Sequence, residues 1–355
     1  MDGQRGFPWT HGASRGIAWA LGGIRVRMNS ADHMAGMAGA PGWLARSAFH
    51  VVGVLFILSE VALALGVQQG WWWLVVSLSV VTSHLMHGQL IGLHEAAHGS
   101  LHGNRRFNEI HGVILGLGSL MSFSLYRAAH QSHHANLASE RDEELWPFVH
   151  PYKPRWFRVG AAVLELALGL LFTPCLFLRT FLRAGSPIRN RRVRLRIWLE
   201  LAAVVLVWGA VLACCAVFGG WRYLLWMYLM PALLAGNMQS LRKYVEHVGL
   251  CGAGVSASTR SIVAEGWLAR FISFTLLHEP YHGVHHWRPG LPHAALPLNT
   301  CVLEPSKADD LPPFRTYRAA LTDLFAALPD PRVGAQWLRN AEPHNAEAAR
   351  GGVPV

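Results

Sequence analysis

Four apolar runs, each about as long as a bilayer is thick, constrain this chain more than any other feature. A helix needs about 20 apolar residues to cross the hydrocarbon core. Residues 47–67, 71–92, 197–218 and 221–241 each supply such a run. Only Gln68, Gln69 and Gly70 separate the first two, and only Gly219 and Gly220 the last two, so each pair predicts a tight helical hairpin. In lipid every backbone N–H and C=O must be bonded within its own segment, which leaves the helix as the spanning element here. Charged residues make up 15% of the chain and apolar residues 52%. A soluble globular chain carries about a quarter charged. The fold class expected is an all-α integral membrane protein, with four transmembrane helices in two hairpins.

Between and around these runs the sequence is less regular. Residues 1–40 are rich in Gly, Ala, Arg and Met without periodicity and predict a mobile N-terminal tail, with Met28 and Met34 as alternative starts. Residues 41–305 form the membrane-embedded unit. Residues 306–355 read as a polar, Pro-containing cytoplasmic tail with one short helix near Tyr317–Leu328. Residues 110–126 and 157–182 are apolar but interrupted, the second by Glu165, Pro174 and Arg179; each predicts an interfacial or re-entrant helix, with a full crossing by 157–182 as the alternative. Residues 262–277 look amphipathic and interfacial.

The net charge of +10 is explained without a nucleic-acid partner. The central loop between the second and third spans holds a run of basic residues that includes Arg189, Arg191, Arg192, Arg194 and Arg196, whereas the hairpin turns hold only Arg222. Cytoplasmic loops carry excess Lys and Arg, which puts both termini and the central loop in the cytoplasm of a bacterial inner membrane. The five cysteines form no CxxC pair, and Cys214 and Cys215 lie within an apolar run. They read as packing residues rather than a disulfide frame. Residues 1–46 show no secretory signal.

The chemistry lies in histidine spacing. His94 and His98 occur in HEAAH, His130, His133 and His134 in HQSHH, and His282, His285 and His286 in HGVHH, with His247 closing the fourth run. Side chains three or four apart on a helix share a face, so each cluster can aim its imidazoles at one point. All four stretches lie on the cytoplasmic side of the expected spans. Nine neutral imidazoles exceed what one ion takes, which argues for two divalent first-row metals. Imidazole alone does not choose iron over zinc, copper or nickel. Glu95, Glu140, Asp142, Glu246 and Glu279 stand near the clusters and are candidates to orient the rings, since a metal-bound imidazole donates its other N–H to a carboxylate or carbonyl. His84 and His87 share the helical stripe of His94 and His98 but lie deeper. They are candidates for a substrate tunnel, against the plainer reading of interhelical hydrogen bonds. His11, His33, His293 and His344 are expected to face solvent.

The ordered set HEAAHGSLH, HQSHHANLASERDEELWPF, RKYVEHVG and HEPYHGVHHWRPGLPHAALP resembles the histidine boxes of the integral-membrane fatty-acid desaturase and hydroxylase superfamily, over about residues 45–325. RKYVEHVGL is also similar to the EH motif of the membrane alkane hydroxylases. The resemblance implies four transmembrane helices under a cytoplasmic helical cap, with a non-haem di-iron site and O2 as cosubstrate. Carried over box by box, the ligands are the nine histidines named above. His278, just before the third box, and His102, one step beyond the first, depart from the pattern and are not expected to bind metal.

The implied reaction is O2-dependent desaturation of a fatty acyl chain or similar lipid. Hydroxylation of a lipid, alkane or carotenoid by the same chemistry is the alternative. The chain has no dinucleotide fingerprint, no ferredoxin-like cysteine set and no fused haem motif, so electrons are expected from an external ferredoxin-type carrier with its reductase. That carrier would dock on the basic face at Arg189–Arg196. A transition-metal transporter and a haem-binding membrane protein are the readings from other classes.

Overall fold

The computed structural model describes residues 43–339 except Ala264. The expected N-terminal tail, His11, His33 and His344 lie outside the described residues. Among the described residues there is no strand, only an isolated bridge between Ile262 and Phe314.

Helix α1 (Ala48–Gln69) ends at Gly70, whose φ of 71° is the left-handed conformation that glycine adopts without a Cβ clash. Helix α2 (Trp72–His98) starts at once and runs back beside α1. Its 27 residues span about 40 Å at 1.5 Å each, about 10 Å more than a bilayer core. That surplus is long enough to carry its last turns past an apolar slab of that thickness. Helix α7 (Arg191–Phe218) is capped by the Asn190 side chain, which accepts from the backbone N–H groups of Arg192 and Val193. Beyond its basic first turns it exposes Leu199, Val205, Leu206 and Val217 on a surface that packs against almost nothing in the chain. Apolar area on that scale marks a lipid-facing helix. The chain then turns at Gly219, and residues 221–247 are helical throughout, with a π-helical stretch at Leu224–Leu229 before helix α8 (Met230–His247). By length and apolarity three helices can cross a membrane, α1, α2 and α7.

The interrupted segments break where the sequence analysis did not place the breaks. Helix α3 (Arg105–Gly118) and helix α4 (Phe123–Ala135) meet at 102° across Ser119–Ser122, and would be a fourth crossing only if counted as one bent span. At this bend Glu200 of α7 accepts from the Ser122 hydroxyl at 2.8 Å, the Ser124 N–H at 2.8 Å and the Ser124 hydroxyl at 2.7 Å. A carboxylate is favourable at a helix N-terminus, so Glu200 fixes the direction in which α4 leaves the bend. Residues 157–182 are two helices, α5 (Arg155–Ala167) and α6 (Gly169–Leu182), broken at Leu168 rather than at Pro174. The break lets α6 come within backbone contact of α8: a Cβ on Gly169 would stand 2.2 Å from the Gly236 carbonyl oxygen, and one on Gly236 2.4 Å from the Leu170 nitrogen.

The amphipathic segment forms helix α9 (Trp267–Thr275), with Trp267, Leu268 and Phe271 exposed. Helix α10 (His282–Trp287) carries the third histidine cluster. The short helix expected near Tyr317–Leu328 is present as helix α11 (Tyr317–Ala327) and is packed against the rest of the chain. Ala320, Leu324 and Val333 are fully buried and pack with Phe148 and Tyr244.

Gly236→Ala is expected to cost about 1–3 kcal/mol by overpacking. It should lower the thermal unfolding midpoint of the detergent-solubilised protein. Gly160→Ala, in α5 with open space around its Cβ, should leave the midpoint unchanged or raise it.

Candidate metal centre

Four elements deliver the nine histidines. The end of α2 presents His94 and His98 one turn apart, α4 presents His130, His133 and His134, α8 ends on His247, and α10 holds His282, His285 and His286. One ring nitrogen from each of His94, His98, His130, His134 and His285 falls within a common 4.8 Å, and so do nitrogens from His133, His247 and His286. His282 joins the second group, with its Nε2 2.9 Å from both His247 Nε2 and His286 Nε2. The groups adjoin, because the His134 and His286 rings stack at 4.2 Å.

Hydrogen bonding on the outer side of these rings decides what can lie between them. His130 Nδ1 donates to Glu144 at 2.8 Å and His133 Nδ1 to Asp142 at 2.8 Å. His247 Nδ1 donates to the Ser258 carbonyl at 3.1 Å, and His282 Nδ1 to Glu279 at 3.1 Å. A neutral imidazole has one N–H, so His130, His247 and His282 each turn a bare Nε2 lone pair inward. His133 does the same when neutral, although burial, which lowers its pKa, is outweighed by Asp142 and Glu144, which raise it. Burial, with adjoining imidazoles adding to it, holds His247, His282 and His286 well below the ordinary imidazole pKa, so protonation does not relieve the crowding. Bare nitrogens 2.9 Å apart repel unless a cation lies between them. In the first group His94 has both ring nitrogens buried without a partner, and His98 its Nε2. The donor set therefore fits two divalent first-row metal ions.

The acidic candidates divide. Asp142 holds His133 and is itself held by the backbone N–H of Ala138 at 3.0 Å. Glu279 accepts from His282, lies 3.6 Å from His94 Nδ1 and accepts from Arg242 at 2.7 Å. Glu246 pairs with the same guanidinium at 2.7 Å and lies 3.5 Å from His282. Glu95 lies 3.6 Å from His94 and accepts from the Ser100 hydroxyl at 2.9 Å. Glu140 has no ion pair or side-chain hydrogen bond to a ring of either group. Sequence reasoning missed Glu144 and Arg242. Burial pushes the Glu144 carboxyl up, but His130 and His133 outweigh it and hold the group well below the usual carboxylate range. Arg242 stands four residues before Glu246, a helical pairing distance that was a usable signal.

An apolar cavity of about 450 Å³ abuts this cluster. Tyr126, which stacks on His130 at 5.4 Å and 9°, lines it together with Glu144 and Leu93. Neither His84 nor His87 is in its lining. His84 Nε2 meets the Thr275 hydroxyl at 2.8 Å, and His87 is buried with both ring nitrogens unpartnered. His102 pairs with His111 at 2.6 Å and His278 with Ser273 at 3.2 Å, both outside the two groups. The expectation that His293 faces solvent is corrected. Its side chain is buried and stacks against the His278 ring, and burial, with His278 and His50 nearby, pushes its pKa down to about 4.

The fatty acid desaturase family profile matches residues 70–318. The chain belongs to that family. A protein of Bacillus subtilis (strain 168) described as a fatty acid desaturase is 25% identical over 241 residues, covering 63% of this chain and 66% of the relative. The match thus spans just under two thirds of that relative's own length.

Purified desaturase-family chain loaded with metal should hold about two ions, by the ligand count. His133→Ala should lose at least one of them, read by elemental analysis. Glu144→Gln keeps the shape but weakens the acceptor on His130, and should lower metal affinity by about 10–100-fold.

Proposed function

We propose that this chain is a membrane-bound di-iron oxidoreductase that desaturates a fatty acyl chain or similar lipid with O2. The observation that carries this reading is the convergence of nine buried imidazoles on two adjoining points, beside an apolar cavity whose wall includes Tyr126 and Glu144, the neighbours of His130. His94, His98, His130, His134 and His285 would hold one ion, and His133, His247, His282 and His286 the other. Iron, rather than zinc, is the family's metal. Two ferrous ions, when bound, supply reductive activation of O2 and the removal of hydrogen from an unactivated carbon.

The protein's own share is placement. Asp142, Glu144, Glu279 and the Ser258 carbonyl fix ring tautomer and orientation. Arg242 offsets the charge of Glu246 and Glu279. Tyr126 and Leu93 present the chain to the reacting end while the packed apolar wall excludes water. The same initial hydrogen abstraction leads to hydroxylation, so the position of the carbon in the cavity sets the outcome.

The proposed topology has four spans in two hairpins, with both termini and the histidines in the cytoplasm. The basic ends of α7 and the preceding loop support it. Electrons would come from a ferredoxin-type carrier docking near Arg189, Arg191 and Arg192. Arg194 and Arg196 are committed within the chain: Arg194 donates to the Phe181 and Ile188 carbonyls, and Arg196 pairs with Glu109 and Glu200. A metal transporter is disfavoured because its ligands would line a path through the bilayer, whereas these gather at one end of the helices.

Expression in a bacterial host followed by lipid mass spectrometry tests the reaction. Loss of two hydrogens from an acyl species supports desaturation, gain of one oxygen means hydroxylation, and no change with His133→Ala as reference rejects both. For topology, exposed Cys301 as sole cysteine should react with an impermeant maleimide in inside-out vesicles and not in intact cells. The reverse pattern would overturn the orientation.

A further inference from the structure

The cavity beside the histidines is apolar along most of its wall, and its buried ion pair lies on one face. On α8, Gly236, Gln239, Ser240 and Lys243 recur at the three- and four-residue steps that share a helix face, and all four line the cavity. Glu165 of α5 lines it opposite Lys243. Lys243 is 7% exposed, Ser240 1% and Glu165 0%. An ion pair here costs desolvation of both charges, and a plain hydrocarbon filling the cavity would return none of it.

The bonding of the patch is incomplete. Lys243 Nζ donates to Glu165, and its second contact is the Glu144 carbonyl at 3.4 Å, a weak bond. An ammonium has three N–H donors, and the third meets no acceptor among the described residues. Glu165 is held in place by the Tyr244 hydroxyl, which donates to it at 3.1 Å. The Ser240 hydroxyl, one turn back along α8, is buried without a partner. Donors are thus in surplus, and a ligand that completes the patch must bring an acceptor.

We propose that Lys243 and Ser240, with Glu165 as counter-ion, form a polar subsite for an acceptor oxygen of the substrate: a hydroxyl, carbonyl or carboxylate on a lipid chain. Its place is close to the chemistry, since the backbone of Glu144 faces Lys243 while the Glu144 side chain holds His130. The substrate class selected is an oxygen-bearing lipid whose oxygen lies near the carbon to be attacked, in preference to an alkane or a carotene. The inference rests on the proposed function in one respect, that this cavity receives the substrate.

The test is equilibrium binding with the full-length, detergent-solubilised protein, by displacement of a fluorescent fatty acid with palmitic acid, hexadecanol or hexadecane. The acid and the alcohol are expected to bind at least about tenfold tighter than the alkane, equivalent to about 1.4 kcal/mol. The double variant Lys243→Met/Glu165→Leu removes both charges together and should level the three ligands. Ser240→Ala, a smaller change, should narrow the gap and serves where the double variant does not fold. Equal affinity for hexadecane in the wild type, or a preference that survives in the double variant, overturns the subsite. Binding needs no turnover, so a retained preference in a protein that oxidises no lipid would reject the proposed reaction and leave the subsite standing.

Discussion

The structure depends on keeping the inner nitrogens of a crowded set of imidazoles free of protons. One misplaced hydrogen would turn a ligand into a donor and fill the space a cation needs. The chain enforces the tautomer from outside, by giving ring Nδ1–H groups fixed acceptors. Asp142, Glu144, Glu279 and the Ser258 carbonyl come from three different stretches, and each must arrive on the correct side of its ring. Much of the fold at this end of the helices serves that placement. Asp142 also takes backbone N–H groups of its own turn, at Ala138, Glu144 and Leu145, which locks the loop that presents it. Glu200 steers α4 through its N-terminus, and so aims three histidines at once.

The ring clusters were legible in the sequence because helical periodicity is local. HEAAH and HQSHH place their imidazoles on one face whatever the rest of the chain does, and the long apolar runs need only hydropathy. The partners of the rings were less legible, because a carboxylate in a loop has no period. Among Glu140, Asp142 and Glu144, nothing in spacing says which reaches inward. The structure turns Asp142 and Glu144 to the rings and leaves Glu140 aside. The helix break at Leu168 was hidden for a similar reason. Pro174 is the stronger local breaker, but it sits within α6 where its missing N–H is tolerated, and the break falls where Gly169 must meet Gly236. The burial of His293 and of the α11 segment is tertiary in origin, and polar composition gave no sign of it.

The buried cations are each paired with a carboxylate. Arg242 is shared between Glu246 and Glu279, Lys243 is paired with Glu165, and Arg260 reaches Asp323 while donating to the Val245 and Val248 carbonyls. A buried ion pair is weak evidence of stability, because desolvation offsets the attraction. These pairs are better understood by what they hold. Arg242 keeps two carboxylates near the histidines without leaving the pocket strongly negative. Arg260 ties the end of α8, and with it His247, to α11.

Depth in the bilayer links these features. In the proposed topology the length of α2 in excess of the hydrocarbon thickness would lift His94 and His98 clear of lipid, and α8, whose polar residues are gathered in its last turns, would do the same for His247. Imidazoles that must stay neutral and bond outward to carboxylates cannot sit in hydrocarbon, where unpaired polar groups are costly. An acyl chain, by contrast, has to stay in an apolar wall. The junction between the two environments falls at Tyr126 and Leu93, each a neighbour of a ligand histidine on one side and of the cavity on the other. Under the proposed function, helix length would set where along a bound chain the metals meet carbon. A change of even one turn in α2 or α8 would move the histidines by about 5.4 Å relative to the cavity, several carbon–carbon bonds along any chain lying in it.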